Sequence, residues 1–183
     1  MTEARSRGHE VTPVSRRPST TMRTGDATNV EDVASLSEGQ DVLISATRPA
    51  PGSGPELVAA AKALLAGTKC RLLLVGGAAS LRVADGTILS DTPDFPAEIR
   101  EIALACNEQL AACRAASDVD WTYLSPPASL EPGVRTGSYR VGADDLLVDA
   151  NGLSSISVED FAVALVDEAE RPRHRGTRFT VGY

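Results

Sequence analysis

The sequence predicts an α/β domain with a parallel sheet and helices on both faces. Short apolar runs alternate with amphipathic helical stretches along most of the chain, the pattern that produces strand–helix–strand crossovers. The clearest run, Cys70 to Val75, is continuously apolar at its centre. Such a strand needs cover on both faces, as in the middle of a parallel sheet. The runs also stop abruptly, at Gly76-Gly77 and at Ser125-Pro126-Pro127, where the backbone is free to turn.

The elements follow in order. His9 to Ser15 reads as a strand ended by Arg16-Arg17-Pro18, and Thr21 to Thr24 as a brief second strand before Gly25-Asp26-Ala27. Asn29 is suited to cap a helix through Val33 and Leu36 that Gly39 stops. Asp41 to Ala46 reads as a buried strand, and a Pro/Gly-rich loop from Arg48 to Pro55 opens a helix with Leu57, Ala60, Ala61, Leu64 and Leu65 on its apolar positions. After Cys70 to Val75, a long loop with Asp91, Pro93 and Pro96 leads to a helix from about Ala97 to Ala116, then a strand from Trp121 to Leu124. Leu146-Leu147-Val148 meets Asn151-Gly152, a strong hairpin signal. Ser157 with Asp160 forms a capping-box pattern for a last helix, and Arg178 to Val181 closes as a strand.

Composition excludes several classes. A formal charge of −7 argues against a general nucleic-acid binder, and no apolar run approaches the roughly 20 residues of a membrane span. Three cysteines without metal spacing fit a reducing, cytoplasmic compartment and predict no metal site. The arginine- and Ser/Thr-rich first 24 residues read either as a transit peptide or as the end of a helix followed by a strand and a basic loop. Val11 and Val14 favour the second.

In a parallel sheet, ligands bind beyond the carboxyl ends of the strands. That rule selects Arg16, Asp26, Ser45 to Thr47, Gly76 to Ser80 and Ser125 to Pro127. Arg16 and Arg17 are placed to meet a 2′-phosphate, or else form a solvated basic loop. Gly76-Gly77 lines a ligand, or makes a turn that needs positive φ. Gly52-Ser53-Gly54 could present backbone N–H groups to an anion, although it lacks the remainder of a phosphate-loop motif. Trp121, Tyr123, Cys106 and Cys113 read as packing residues, Asp144-Asp145 as a loop charge pair, and the turn around His174 as a solvated basic face. Only Lys62 and Lys69 are present, neither four residues after a tyrosine, so a Tyr-x-x-x-Lys proton-transfer dyad is excluded. Ser80 remains as a hydroxyl to orient a substrate.

Gly8-His9-Glu10-Val11 leading to Arg16, Gly25-Asp26-Ala27, Val42 to Ala46, Leu74-Val75-Gly76-Gly77 and Trp121 to Pro126 stand in an ordered series. It resembles the NAD(P)H-binding atypical short-chain dehydrogenase family, NmrA-like, and within it the flavin reductases and beta-type biliverdin reductases. The resemblance implies a Rossmann-like domain that binds NADPH and transfers hydride to a flavin or similar planar small-molecule acceptor. It implies that Arg16 and Arg17 meet the 2′-phosphate and that Asp26 and Ala27 flank the adenine. Ser45, Ala46, Thr47, Gly76, Gly77, Ser125 and Pro126 would then line the ribose and nicotinamide, with Ser80 as the catalytic hydroxyl. The family pattern opens with a strand and a Gly-x-x-Gly-x-x-Gly turn, whereas here the RGHEV-like segment already arrives at Arg7. The chain therefore reads as N-terminally truncated, lacking a central strand between His9–Ser15 and Asp41–Ala46. Four outcomes are open: the flanking strands close up, a partner such as a second copy fills the space, the domain is unstable, or the protein begins upstream. A non-catalytic binding or regulatory module is the alternative to an active reductase.

Overall fold

The computed structural model describes residues 1–47 and 52–183. Five strands form the main sheet in the order β3-β4-β5-β9-β7: β3 (Val42–Ser45), β4 (Arg71–Val75), β5 (Trp121–Ser125), β9 (Thr177–Gly182) and β7 (Arg140–Gly142). The first four are parallel, and β7 runs antiparallel along the far edge. Two small parallel pairs stand apart from it, β1 (Val14–Ser15) with β2 (Arg23–Thr24) and β6 (Ser129–Glu131) with β8 (Ser155–Ser157).

Strand alternation sorts the core onto the two faces. Leu72, Leu74, Trp121 and Tyr123 pack with α2 (Val30–Ser37), α3 (Gly54–Gly67) and α4 (Arg100–Ala115) through Val33, Leu64, Leu65, Leu110 and Cys113. Leu124, Phe179 and Val181 face the other way, onto Phe161 and Ala164 of α5 (Val158–Glu170). Each fully buried leucine contributes about 1.5–3 kcal/mol of transfer free energy. The continuous apolar character of β4 is thereby explained.

The helix starts follow the expected chemistry. The Asn29 side chain accepts the Asp32 N–H and the Ser157 hydroxyl accepts the Asp160 N–H. The capping box at Ser157 is only half made. The Asp160 carboxylate turns away to accept from Thr136, Gly137 and Tyr183, and the Tyr183 hydroxyl accepts the Ser157 N–H in its place.

Two sequence expectations change, and one open choice is decided. The first strand is Val14–Ser15 alone, because Pro13 lacks an N–H and β1 has only β2 beside it among the described residues. The N-terminal segment is the helix end that Val11 and Val14 favoured: α1 (Thr2–Ser6) docks on α5, and its buried Glu3 binds Arg7 and Arg135. No hairpin forms across Asn151-Gly152. Asp149 Oδ1 accepts the N–H groups of Asn151 and Leu153 to close a local turn, while the Leu146 N–H bonds Arg82 O instead of a neighbouring strand.

The strands on either side of the expected gap do not close up. Among the described residues β1 pairs only with β2 and β3 only with β4. Ile44 on β3 and Val14 on β1 remain exposed. The β1–β2 pair is held on this side of the sheet by the Arg16–Glu56 ion pair to α3 and by Ala27, which packs on the Val33 cluster.

Candidate functional site

The register brings the carboxyl ends of the central strands to one level. Ser45 lies beside Leu74, Val75 beside Leu124, and Ser125 beside Thr180. The rim therefore runs from Ser45 through Gly76 to Ser125. Ser45 is buried, with its hydroxyl 3.3 Å from that of Thr47, while Ala46 and Thr47 are exposed. Ser125 is fully buried, and its Oγ has no hydrogen-bond partner. The Ser125 carbonyl accepts from Thr180 Oγ1, a contact that the sequence did not signal. Pro126 is half-buried beyond it.

The two glycines of the rim are required by packing. Neither has positive φ, so the turn reading does not hold. A Cβ on Gly76 would lie 1.9 Å from Tyr123 Cζ, and one on Gly77 would lie 2.9 Å from Cys106 Cβ. Tyr123 reaches under the rim to donate to Cys106 O, and burial pushes its phenol well above the usual range. It therefore stays protonated and is a packing group, as the sequence predicted.

Across the opening beside β3, Arg16 and Arg17 are exposed after β1. Arg16 reaches Glu56 at 3.2 Å. Asp26 follows β2, where its Oδ1 accepts the N–H and the hydroxyl of Thr28. Those two bonds hold its carboxyl below the ordinary aspartate value. The Asp26 N–H is in turn taken by Asp32, and Ala27 tucks into the core. The predicted residues thus fall into two groups, the Arg16–Ala27 side and the Ser45–Ser125 rim, separated by the unpaired edges of β1 and β3.

Ser80 is set apart from both. Its hydroxyl accepts from Arg178 at 2.9 Å, and Arg178 also binds Asp144. Arg178 is aligned with Tyr123 on the α4 face, below the strand ends. The Ser80 proton is still available to donate. At Gly52-Ser53-Gly54, the Ser53 side chain caps nothing, and a Cβ on Gly54 would lie 3.3 Å from Glu101 Oε1. A carboxylate this close opposes an anion there; the preceding loop residues 48–51 lie outside the described residues. Arg171, Pro172, Arg173 and Arg175 are exposed as the sequence predicted, while the His174 imidazole is partly covered, stacking on Phe179 and meeting Glu168. Among the described residues no cluster of His, Cys, Asp and Glu could hold a metal ion, and no helix is long and apolar enough to cross a membrane.

Comparison with known proteins agrees with this geometry. Residues 1–169 match the NAD(P)H-binding family model. The Bacillus subtilis (strain 168) protein YwnB is 41% identical over 192 residues, covering 99% of this chain and 90% of that protein. A candidate epimerase from Bacteroides thetaiotaomicron superposes with a TM-score of 0.89 at 38% identity, over 100% of this chain and 89% of the other. A candidate NADH-flavin reductase from Streptococcus pneumoniae TIGR4 gives 0.86 at 34%, over 99% and 90%. With its parallel sheet, its level strand-end rim and a family match spanning most of its length, the chain belongs to the NAD(P)H-binding family.

Proposed function

We propose that this protein is an NADPH-dependent reductase that passes hydride to a flavin or similar planar acceptor. The observation that carries the reading is the rim at Ser45, Gly76 and Ser125, where the buried Ser125 hydroxyl has no hydrogen-bond partner at the carboxyl end of β5. A carboxamide or ribose hydroxyl of the cofactor would satisfy it. In this reading Arg16 and Arg17 hold the 2′-phosphate, and Asp26 and Ala27 border the adenine. Ser45, Ala46, Thr47, Gly76, Gly77, Ser125 and Pro126 line the ribose and nicotinamide. Bound NADPH supplies the hydride; the acceptor takes that hydride with a proton from water. No Tyr–Lys dyad is needed, because alignment of two planar groups is the main demand. Ser80 is the hydroxyl assigned to orient the acceptor, by donating its proton while accepting from Arg178. The named resemblance of the Streptococcus protein to an NADH-flavin reductase supports the same reaction class. The odd cysteine count fits a cytoplasmic setting.

The alternative is a non-catalytic binding module, favoured by the open edges of β1 and β3. A second copy of the chain could cover those edges. NADPH and NADH titrations followed by nicotinamide fluorescence, then by consumption of NADPH with FMN or FAD, separate the readings. The reductase reading expects saturable binding that favours NADPH and flavin-dependent turnover. Binding without flavin turnover overturns the reductase reading, and no binding at millimolar cofactor supports the module. Light scattering reports whether a dimer forms.

A further inference from the structure

The geometry points to a second ligand site, for a small aromatic anion, in the cleft between α5, β7 and the turn before β9. The cleft has a volume of about 210 Å³ and is lined by Tyr139, Val141, Arg171, Arg173, His174 and Phe179 among others. It lies at the opposite end of the sheet from the strand-end rim. The His174 carbonyl accepts from Thr122, and Thr122 pairs with Thr177 where β9 begins.

Its floor is aromatic and rigid. The rings of His174 and Phe179 stack with centroids 4.2 Å apart and an interplanar angle of 10°. Glu168 fixes the imidazole at 2.8 Å and is itself held by buried Arg71 at 2.5 Å. Tyr139 forms another wall, with its hydroxyl donated to Asp167. Offset stacking on such a floor favours a planar ring.

Two carboxylates, Asp167 and Glu168, and two guanidiniums, Arg171 and Arg173, line the cleft, and both carboxylates are committed to other partners. Asp167 is paired with Arg7 at 2.6 Å, and Glu168 is shared between Arg71 and His174. Arg171 and Arg173 are exposed at the cleft, where Arg171 acts through space on Asp167 and Arg173 on Tyr139. Arginines near a helix carboxyl end complement its dipole, and that role alone needs no apolar cleft beside them. Here two exposed guanidiniums stand at the rim of an aromatic slot, which matches a ring bearing a phosphate or carboxylate.

The chain has two histidines, His9 and His174, so ring NMR signals of the full-length protein give a direct reading with an internal control. On titration with phenyl phosphate, the His174 signals should shift saturably while those of His9 stay in place. Equal concentrations of inorganic phosphate or of phenol should have much weaker effects. The doubly substituted protein Arg171→Ala/Arg173→Ala, altered only at exposed side chains, should bind about tenfold more weakly or worse. Unchanged His174 signals, equal shifts with phosphate or phenol alone, or full affinity in the double variant would each overturn the site. So would competition by NADPH, which would assign the binding to the strand-end rim. The test does not depend on turnover, so its failure leaves the reductase reading where it stands.

Discussion

Gly76 and Tyr123 occupy one another's space: the tyrosine ring, carried by the neighbouring strand, fills the volume that any side chain at residue 76 would need. The rim of the site is therefore shaped from beneath by a core residue. Substitution Gly76→Ala should destabilise the protein by about 1–3 kcal/mol, since a buried ring must shift to admit the methyl group. Gly76→Ala combined with Tyr123→Leu should cost less than the two single changes added together. Chemical denaturation of the four proteins measures this coupling, and strict additivity would refute the packing account.

Arg16 should decide cofactor preference. Arg16→Ala is expected to weaken NADPH by about tenfold while leaving NADH affinity nearly unchanged, because the guanidinium's charge-assisted bonds would go to the 2′-phosphate. Paired titrations with the two cofactors check it. Equal loss for both would place Arg16 outside the phosphate site.

Glu168 is a buried carboxylate shared by Arg71, His174 and two backbone N–H groups. Burial alone would raise its pKa, but the hydrogen bonds from His174 and Arg173 outweigh that and lower it. Glu168→Gln removes the short buried ion pair of the Arg71 guanidinium and leaves it only the distant Asp120 carboxylate at 4.0 Å. The expected cost is about 3–5 kcal/mol, read from the urea midpoint.

Glu3 provides a test by pH. The hydrogen bonds from Arg135, opposed by burial and assisted by Arg7, hold its carboxyl at about 2, against 4.5 for an ordinary glutamate. A lowered folded-state value means that the stabilisation is complete above the unfolded value and is lost as pH falls through the folded one. The wild type should therefore lose stability between pH 4.5 and about 2 more steeply than Glu3→Gln. Melting temperatures across that range show the difference, and parallel curves would remove α1 from the account.

Ser157→Ala should cost about 1–2 kcal/mol. The hydroxyl accepts the Asp160 N–H and donates to Val134 O, so its loss unsettles the helix start and the loop before it together. Asn29→Ala removes one cap bond only and should cost less.

Local chemistry was readable directly. The caps at Asn29 and Ser157, the apolar runs of β3, β4 and β5, and the places where those runs stop all follow from residue type and spacing. The same stops located Ser45, Gly76 and Ser125, because parallel strands put their carboxyl ends on one side. The absence of a Tyr–Lys dyad was equally plain.

Tertiary structure alone decided what each of those residues touches. The sequence allowed Gly76-Gly77 to be a strained turn, and only the neighbouring strand showed that Tyr123 and Cys106 demand the glycines. It read Asn151-Gly152 as a hairpin, but a turn makes a hairpin only if its arms find each other, and here β7 pairs with β9 and β8 with β6. It read the His174 turn as solvated, which holds for its arginines but not for the imidazole, because a run of charges does not reveal the buried Glu168 and Phe179 beneath it. The physical reason is common to all three. Backbone preference acts over a few neighbouring residues, whereas burial and charge pairing join groups far apart along the chain, such as Arg71 with Glu168.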